Sequence, residues 1–333
     1  MTILYTILGI VLLVAVVVDI LWTTLWVDGG AGPLSSRLSN GIWNLLRTVS
    51  SRHSRGLSLA GPIILISSLM MWIGLLWIGW TFVFAGGENA IIDTRDGGPV
   101  TWTGRLYYVA YTMFTDGNGD FTPNGGVWQM ASSFTTGSGM LFATLGVSYI
   151  LSILGAVADK RAFANSVTGL GMRSEEFLRS GWNGENFNDF DDVLDTLSAD
   201  LNMLAEQHKS YPILHYYHSE GEDEASPMAV AILSEALTLL HYGVPDEKCP
   251  NGALVETTRS STKDYLQTLD NAFIEPAEQA PPAPDLDRLR ETDIPTVADE
   301  DFAEAIQEMD ESRRKLLAAV EADAWYWPSE SDE

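Results

Sequence analysis

Cysteine is almost absent: Cys249 stands alone in 333 residues, which excludes an internal disulfide and suits a cytoplasmic tail. A nucleophile elbow, a Walker loop, a zinc-ligand motif and paired catalytic carboxylates in a fixed context are missing too, so nothing in the sequence supports an enzyme. Gly169-Leu-Gly171 lacks a third spaced glycine and a preceding strand, which removes the dinucleotide fingerprint, and no nucleotide site or cofactor is assigned. His208, His215, His218 and His241 fall close together, yet Pro212 interrupts them and no cysteine joins them. Their tyrosine neighbours speak for amphipathic packing, and no resident metal is expected.

Charge is missing from the front of the chain and crowded at the back. Acidic against basic residues number 7 and 6 before Asp159 but 38 and 13 from there on, within a formal net charge of −26. So acidic and lysine-poor a tail suits a cytoplasm at multimolar salt, because hydrated carboxylates keep its surface soluble, and a halophilic source is the expectation. An acidic domain that repels nucleic acid and anionic lipid accounts for the same charge without salt.

The uncharged front divides into spans. Residues 2–18 carry no charge and, with Asp19, Trp22 and Trp26, predict a first transmembrane helix over 1–28; a cleavable signal would start basic and end in small residues, and this stretch does neither. Asp19 pairs with another helix or snorkels to the interface. After Asp28-Gly-Gly-Ala-Gly-Pro33, the apolar residues Leu34, Leu38, Ile42, Leu45, Leu46 and Val49 recur at helical spacing among Arg37, Arg47, Arg52 and Arg55. They predict an amphipathic interfacial helix over 33–55. Its arginines put it on the cytoplasmic side and the N-terminus outside. Gly56 to Gly87 is uncharged and runs outward, Glu88 to Thr103 is a polar extracellular turret, and Phe121 to Ala158 is uncharged again. The third helix starts near Val127 to Ala131 and ends at Asp159, Lys160 and Arg161 on the cytoplasmic side.

Between the second and third spans, an aromatic run from Tyr107 ends in Thr115-Asp-Gly-Asn-Gly-Asp120 and then Pro123. Leu106 to Thr115 suits a short helix, and Gly117 and Gly119 allow alternating left- and right-handed dihedrals that aim successive carbonyls one way. Irregular backbone at membrane depth is tolerated where it lines an aqueous cavity, and rings of carbonyls replace an ion's hydration shell. At these residues the sequence resembles the tetrameric potassium channel family, whose filter reads T-V-G-Y-G-D. Thr115, Gly117, Gly119, Asp120 and Pro123 match, as do Tyr107 and Tyr108 where the family carries an aromatic pair; Asp116 stands for valine and Asn118 for tyrosine. The resemblance covers roughly Leu57 to Lys160 and, with the acidic tail, points to a halophilic archaeon.

The resemblance implies an all-α membrane protein with three transmembrane helices, a re-entrant pore helix and filter loop between the second and third, and a pore module over 57–158. One pore loop per chain implies a homotetramer in the cell-membrane bilayer, passing potassium, or potassium with sodium. The implied filter is Thr115, Asp116, Gly117, Asn118, Gly119 and Asp120, supported by Tyr107, Tyr108, Tyr111 and Thr112. Asp116 would stand in the wall behind it, either protonated or accepting hydrogen bonds from Tyr111 or Thr112, and Asn118 would replace the tether with a shorter amide. Gly139, twenty residues beyond Gly119, is the hinge candidate; tight packing explains it equally. Slide helices of the family sit where 33–55 does, so its arginines either bind headgroups or couple the membrane surface to gating. A non-conducting sensor or scaffold is the alternative reading.

The remainder, 159–333, reads as a mainly helical cytoplasmic domain. Phe190, Val193, Leu194, Leu197, Leu201 and Leu204 form a helical stripe, and Ser226-Pro227 starts an apolar helix that Gly243 stops. Further helices are expected over Leu254 to Phe273 and Val297 to Val320, with a Pro-rich extended linker over 275–297 and an irregular tail from Pro328.

Overall fold

The structure, a computed structural model, describes residues 2–27, 30–49, 54–95, 97–270 and 275–328. Asp28, Arg52, Asp96, Phe273 and the tail end 329–333, which enter the sequence reading, lie outside the described residues. The chain is mostly helical and forms two compact units, Met1–Ile42 with Pro62–Ile153 and Trp43–Gly61 with Leu154–Glu333. Among the described residues three helices are long and apolar enough to cross a membrane: Thr2–Leu25, Arg55–Ala85 and Gly126–Thr168.

Up to Thr168 the elements are α1 (Thr2–Leu25), α2 (Pro33–Val49), α3 (Ser54–Leu57), α4 (Ala60–Ala85), β1 (Ile91–Asp93), α5 (Trp102–Met113), β2 (Phe121–Pro123) and α6 (Gly126–Thr168). α1 and α4 approach at glycines: a Cβ on Gly9 would lie 2.7 Å from the Gly79 carbonyl. That is how apolar helices gain contact where the solvent is as apolar as they are.

Asp19 is fully buried and does not snorkel. Its carboxylate accepts the amides of Leu34 (2.7 Å) and Ser35 (3.3 Å), the Ser35 hydroxyl and the Trp72 indole N–H (2.8 Å). Two of the donors are amides in the first turn of α2, which have no partner within their own helix, so the carboxylate caps α2 while holding α4. Gly32 is required beside it, because a Cβ there would sit 2.4 Å from Asp19 Oδ1.

The expected turret contains a strand. β1 pairs antiparallel with β2 in the register Ile91↔Pro123, Ile92↔Thr122 and Asp93↔Phe121. α5 begins earlier than Leu106 because the Thr101 side chain accepts the Gly104 amide at 3.1 Å, and it ends at Met113. α6 is continuous for 43 residues and runs ten residues beyond the expected end at Ala158.

The second unit is helical: α7 (Ser174–Gly181), α8 (Asp191–Ser210), α9 (Ser226–Thr238), α10 (Gly252–Asp270), α11 (Leu286–Arg290), α12 (Asp299–Glu308) and α13 (Asp310–Ala322). α9 is buried along its whole length, and Leu194, Leu197, Leu201 and Leu204 of α8 belong to the same core. The expected helix over Val297 to Val320 is two helices broken at Met309, and the expected linker holds α11, whose Leu286 and Leu289 are buried. Apolar periodicity over five residues is too short to stand out among prolines. α13 docks on α9 through Arg313, whose guanidinium makes a bidentate pair with Glu235 (2.9 and 3.0 Å) and also donates to the Pro282 carbonyl at 2.6 Å. His218 lies 3.3 Å from Asp323 and stacks on Trp325. Among the described residues no group of three or more His, Cys, Asp or Glu side chains is placed to hold a metal.

Arg313 and Glu235 are almost completely buried, so removing one partner strands the other. Arg313→Ala should destabilise the unit by about 3–5 kcal/mol, whereas Arg313→Met with Glu235→Gln should cost much less. Thermal unfolding followed by circular dichroism checks the difference. A second expectation concerns acid. Burial pushes the His208 imidazole down to about 3, so the folded state keeps it neutral where the unfolded chain would take a proton. Its contribution is complete above about pH 6.5 and is lost as pH falls towards 3, on the order of a few kcal/mol. His208→Phe should flatten the unfolding midpoint over that window.

Candidate functional site

The loop from Phe114 to Asp120 is built on the end of α5. Thr115 N–H donates to Thr112 O (3.2 Å) and Asp116 N–H to Tyr111 O (2.8 Å), which closes the helix and turns the chain back. Beyond it the backbone alternates: φ is +64° at Thr115, +63° at Gly117 and +85° at Gly119, with Asp116 and Asn118 at negative φ between them. A Cβ on either glycine would meet nothing within 4 Å, so dihedral freedom and not space calls for glycine here. Thr115 holds the same left-handed conformation with a β-branched side chain, a strained state that its surroundings must maintain. Among the described residues no group donates to the carbonyls of Thr115, Asp116, Gly117 or Asn118.

Tyr107, Tyr108 and Tyr111, the tyrosines named beside this loop, each have a polar partner. The Tyr107 hydroxyl and the Asn118 amide are hydrogen-bond partners, Tyr108 donates to Ser132 Oγ at 2.8 Å, and Tyr111 donates to the Phe121 carbonyl at 2.5 Å. The rings meet edge to face, with centroids 5.2 Å apart for Tyr107–Tyr111 and 5.5 Å for Tyr108–Tyr111. Thr112 offers its carbonyl to Thr136 Oγ1 at 3.2 Å. In the single chain Asp116 is exposed, while the Tyr111 hydroxyl donates to the Phe121 carbonyl and the Thr112 carbonyl accepts from Thr136. Asp120 is not alone at the loop's end, since Arg95 lies 3.6 Å from it and 3.1 Å from Asp93.

Gly139 lies inside unbroken α6 and has a packing reason. A Cβ there would sit 2.0 Å from the Met113 carbonyl, so only glycine lets α6 run against the end of α5. Sequence reasoning missed the indoles of Trp77, which donates to Leu106 O at 2.8 Å, and Trp80, which donates to Ser138 Oγ at 3.0 Å. It also missed Thr94, whose hydroxyl reaches the carbonyls of Gly119 (2.8 Å) and Asp120 (2.9 Å). Tryptophans at this end of α4 are a visible signal; a lone threonine in a polar segment is none.

The chain is similar to the uncharacterized membrane protein YdjJ of Bacillus subtilis (strain 168), with 43% identity over 324 residues, 97% of this chain and 95% of the relative. No protein-family model and no solved structure matches the chain.

Gly139→Ala should lower the melting temperature of the purified protein by several degrees, because Met113 must shift. Gly137→Ala, where a Cβ would meet nothing within 4 Å, should leave it unchanged or slightly raised. Differential scanning fluorimetry on both variants checks this.

Proposed function

This chain belongs to the family of the Bacillus subtilis membrane protein YdjJ, and from that premise we propose that it is a cation channel of the potassium channel type, assembled as a homotetramer. The observation that carries the reading is the loop over Thr115 to Asn118, whose dihedrals alternate and whose four carbonyls have no donor among the described residues, while Tyr107 of α5 bonds to Asn118. In water such carbonyls would be unremarkable; beside helices that cross a bilayer they need a ligand, and a dehydrated monovalent cation is one. Four copies around an axis would turn each carbonyl into a ring.

The departures from the family's filter set the selectivity. Asn118 reaches Tyr107 through an amide shorter than a tyrosine side chain, and Asp116 brings a carboxylate where the family has valine. A cage held by that shorter amide discriminates less between potassium and sodium. Asp93, Arg95 and Asp120 leave one net negative charge per chain beside the loop, which favours cations over anions. The orientation follows from Arg37 and Arg47 on the cytoplasmic side: N-terminus outside, three crossings, and the acidic helical domain in the cytoplasm. No enzyme activity, nucleic acid, nucleotide or cofactor other than the permeant ion enters this reading.

The alternative, a non-conducting sensor or scaffold, draws on the guanidinium of Arg95 near the loop's end. Flux from liposomes and reversal potentials under a potassium–sodium gradient separate the two. The expected result is potassium-permeable cation current with weak exclusion of sodium, sharpened by Asp116→Val with Asn118→Tyr. Absent or anion-selective current would contradict it.

A further inference from the structure

We propose that Thr94 is a positioning residue that fixes where the ion path ends; the inference rests on the channel reading and names a residue outside its filter. β1 carries Asp93 opposite Phe121, and this register brings the next residue, Thr94, against the last residues of the loop. Thr94 N–H donates to Asp120 O at 3.0 Å, and its hydroxyl lies 2.8 Å from Gly119 O and 2.9 Å from Asp120 O. A hydroxyl has one proton, so it serves these two acceptors alternately while the amide holds Asp120 O throughout.

The loop therefore divides at Asn118. Up to and including it, four carbonyls have no donor among the described residues; after it, both carbonyls are directed at Thr94. A carbonyl that accepts a donor on the protein side has one lone pair committed there and its direction set by that donor, which leaves it less able to turn towards a cation. Thr94 thus makes Gly119 part of a rim instead of a coordinating ring. It does so from the segment that precedes α5, so the chain entering α5 is fastened to the chain leaving the loop. Arg95 continues the fastening, with its guanidinium 4.9 Å from the centre of the Phe121 ring and 3.6 Å from Asp120.

Thr94→Val keeps the side-chain shape and the amide bond but removes the hydroxyl, and Thr94→Ser restores it. With the hydroxyl gone, the Gly119 carbonyl is free to face the axis and add an outer ring. In liposome recordings, the external potassium concentration giving half-maximal inward current should fall severalfold in the valine variant and remain at the wild-type value in the serine variant. Hydrogen exchange on the same preparations needs no conduction: amides over 117–120 should exchange roughly threefold to fivefold faster in the valine variant only. Equal half-saturation and equal exchange in wild type and Thr94→Val would overturn the assignment. Wild-type protein that passes no cation would remove the channel reading and with it the ion-path role, while the exchange arm still decides whether Thr94 holds the loop.

Discussion

Backbone amides and carbonyls cannot be left to hydrocarbon, and this constraint orders the membrane half of the chain. α1, α4 and α6 meet it internally, as long helices with many exposed large apolar side chains. Where helices begin, the structure supplies partners one by one: Asp19 for the first amides of α2 and Thr101 for the Gly104 amide of α5. Against that background the carbonyls of Thr115 to Asn118 have no donor among the described residues. Their exposure is bought with strain at Thr115 and with glycines at Gly117 and Gly119 that only a left-handed backbone requires.

The parts of the fold that were legible in the sequence are those with a local cause. Uncharged runs of sufficient length announce α1, α4 and α6, a 3.6-residue stripe announces α8, and Ser226-Pro227 announces α9. The alternating dihedrals at Gly117 and Gly119 follow from residue type alone. What escaped depends on partners distant in sequence. Asp19 could be recognised as an anomaly in an apolar helix, but nothing local says that Ser35 and Trp72 would satisfy it. The pairing of Ile91-Ile92-Asp93 with Phe121-Thr122-Pro123 spans thirty residues and hides inside a polar segment, and Thr94 acquires its contacts only through that pairing.

The acidic unit is built differently, around a helical core that buries a few charged groups. Among its buried charged groups, Glu235 pairs with Arg313, and the Lys160 ammonium donates to the carbonyls of Leu214 (3.2 Å) and Tyr217 (2.9 Å). Lys160 lies on the continuation of α6, so the turn Pro212–Tyr216 is held to that helix within the same unit.

The account depends most on whether the loop carbonyls of several copies face one axis and hold cations. A structure of the detergent-purified protein in rubidium, with the anomalous signal located, tests this directly. The account predicts a four-fold assembly with rubidium between rings formed by the carbonyls of Thr115 to Asn118. A monomer, or an assembly whose loops face apart and hold no ion, would contradict it.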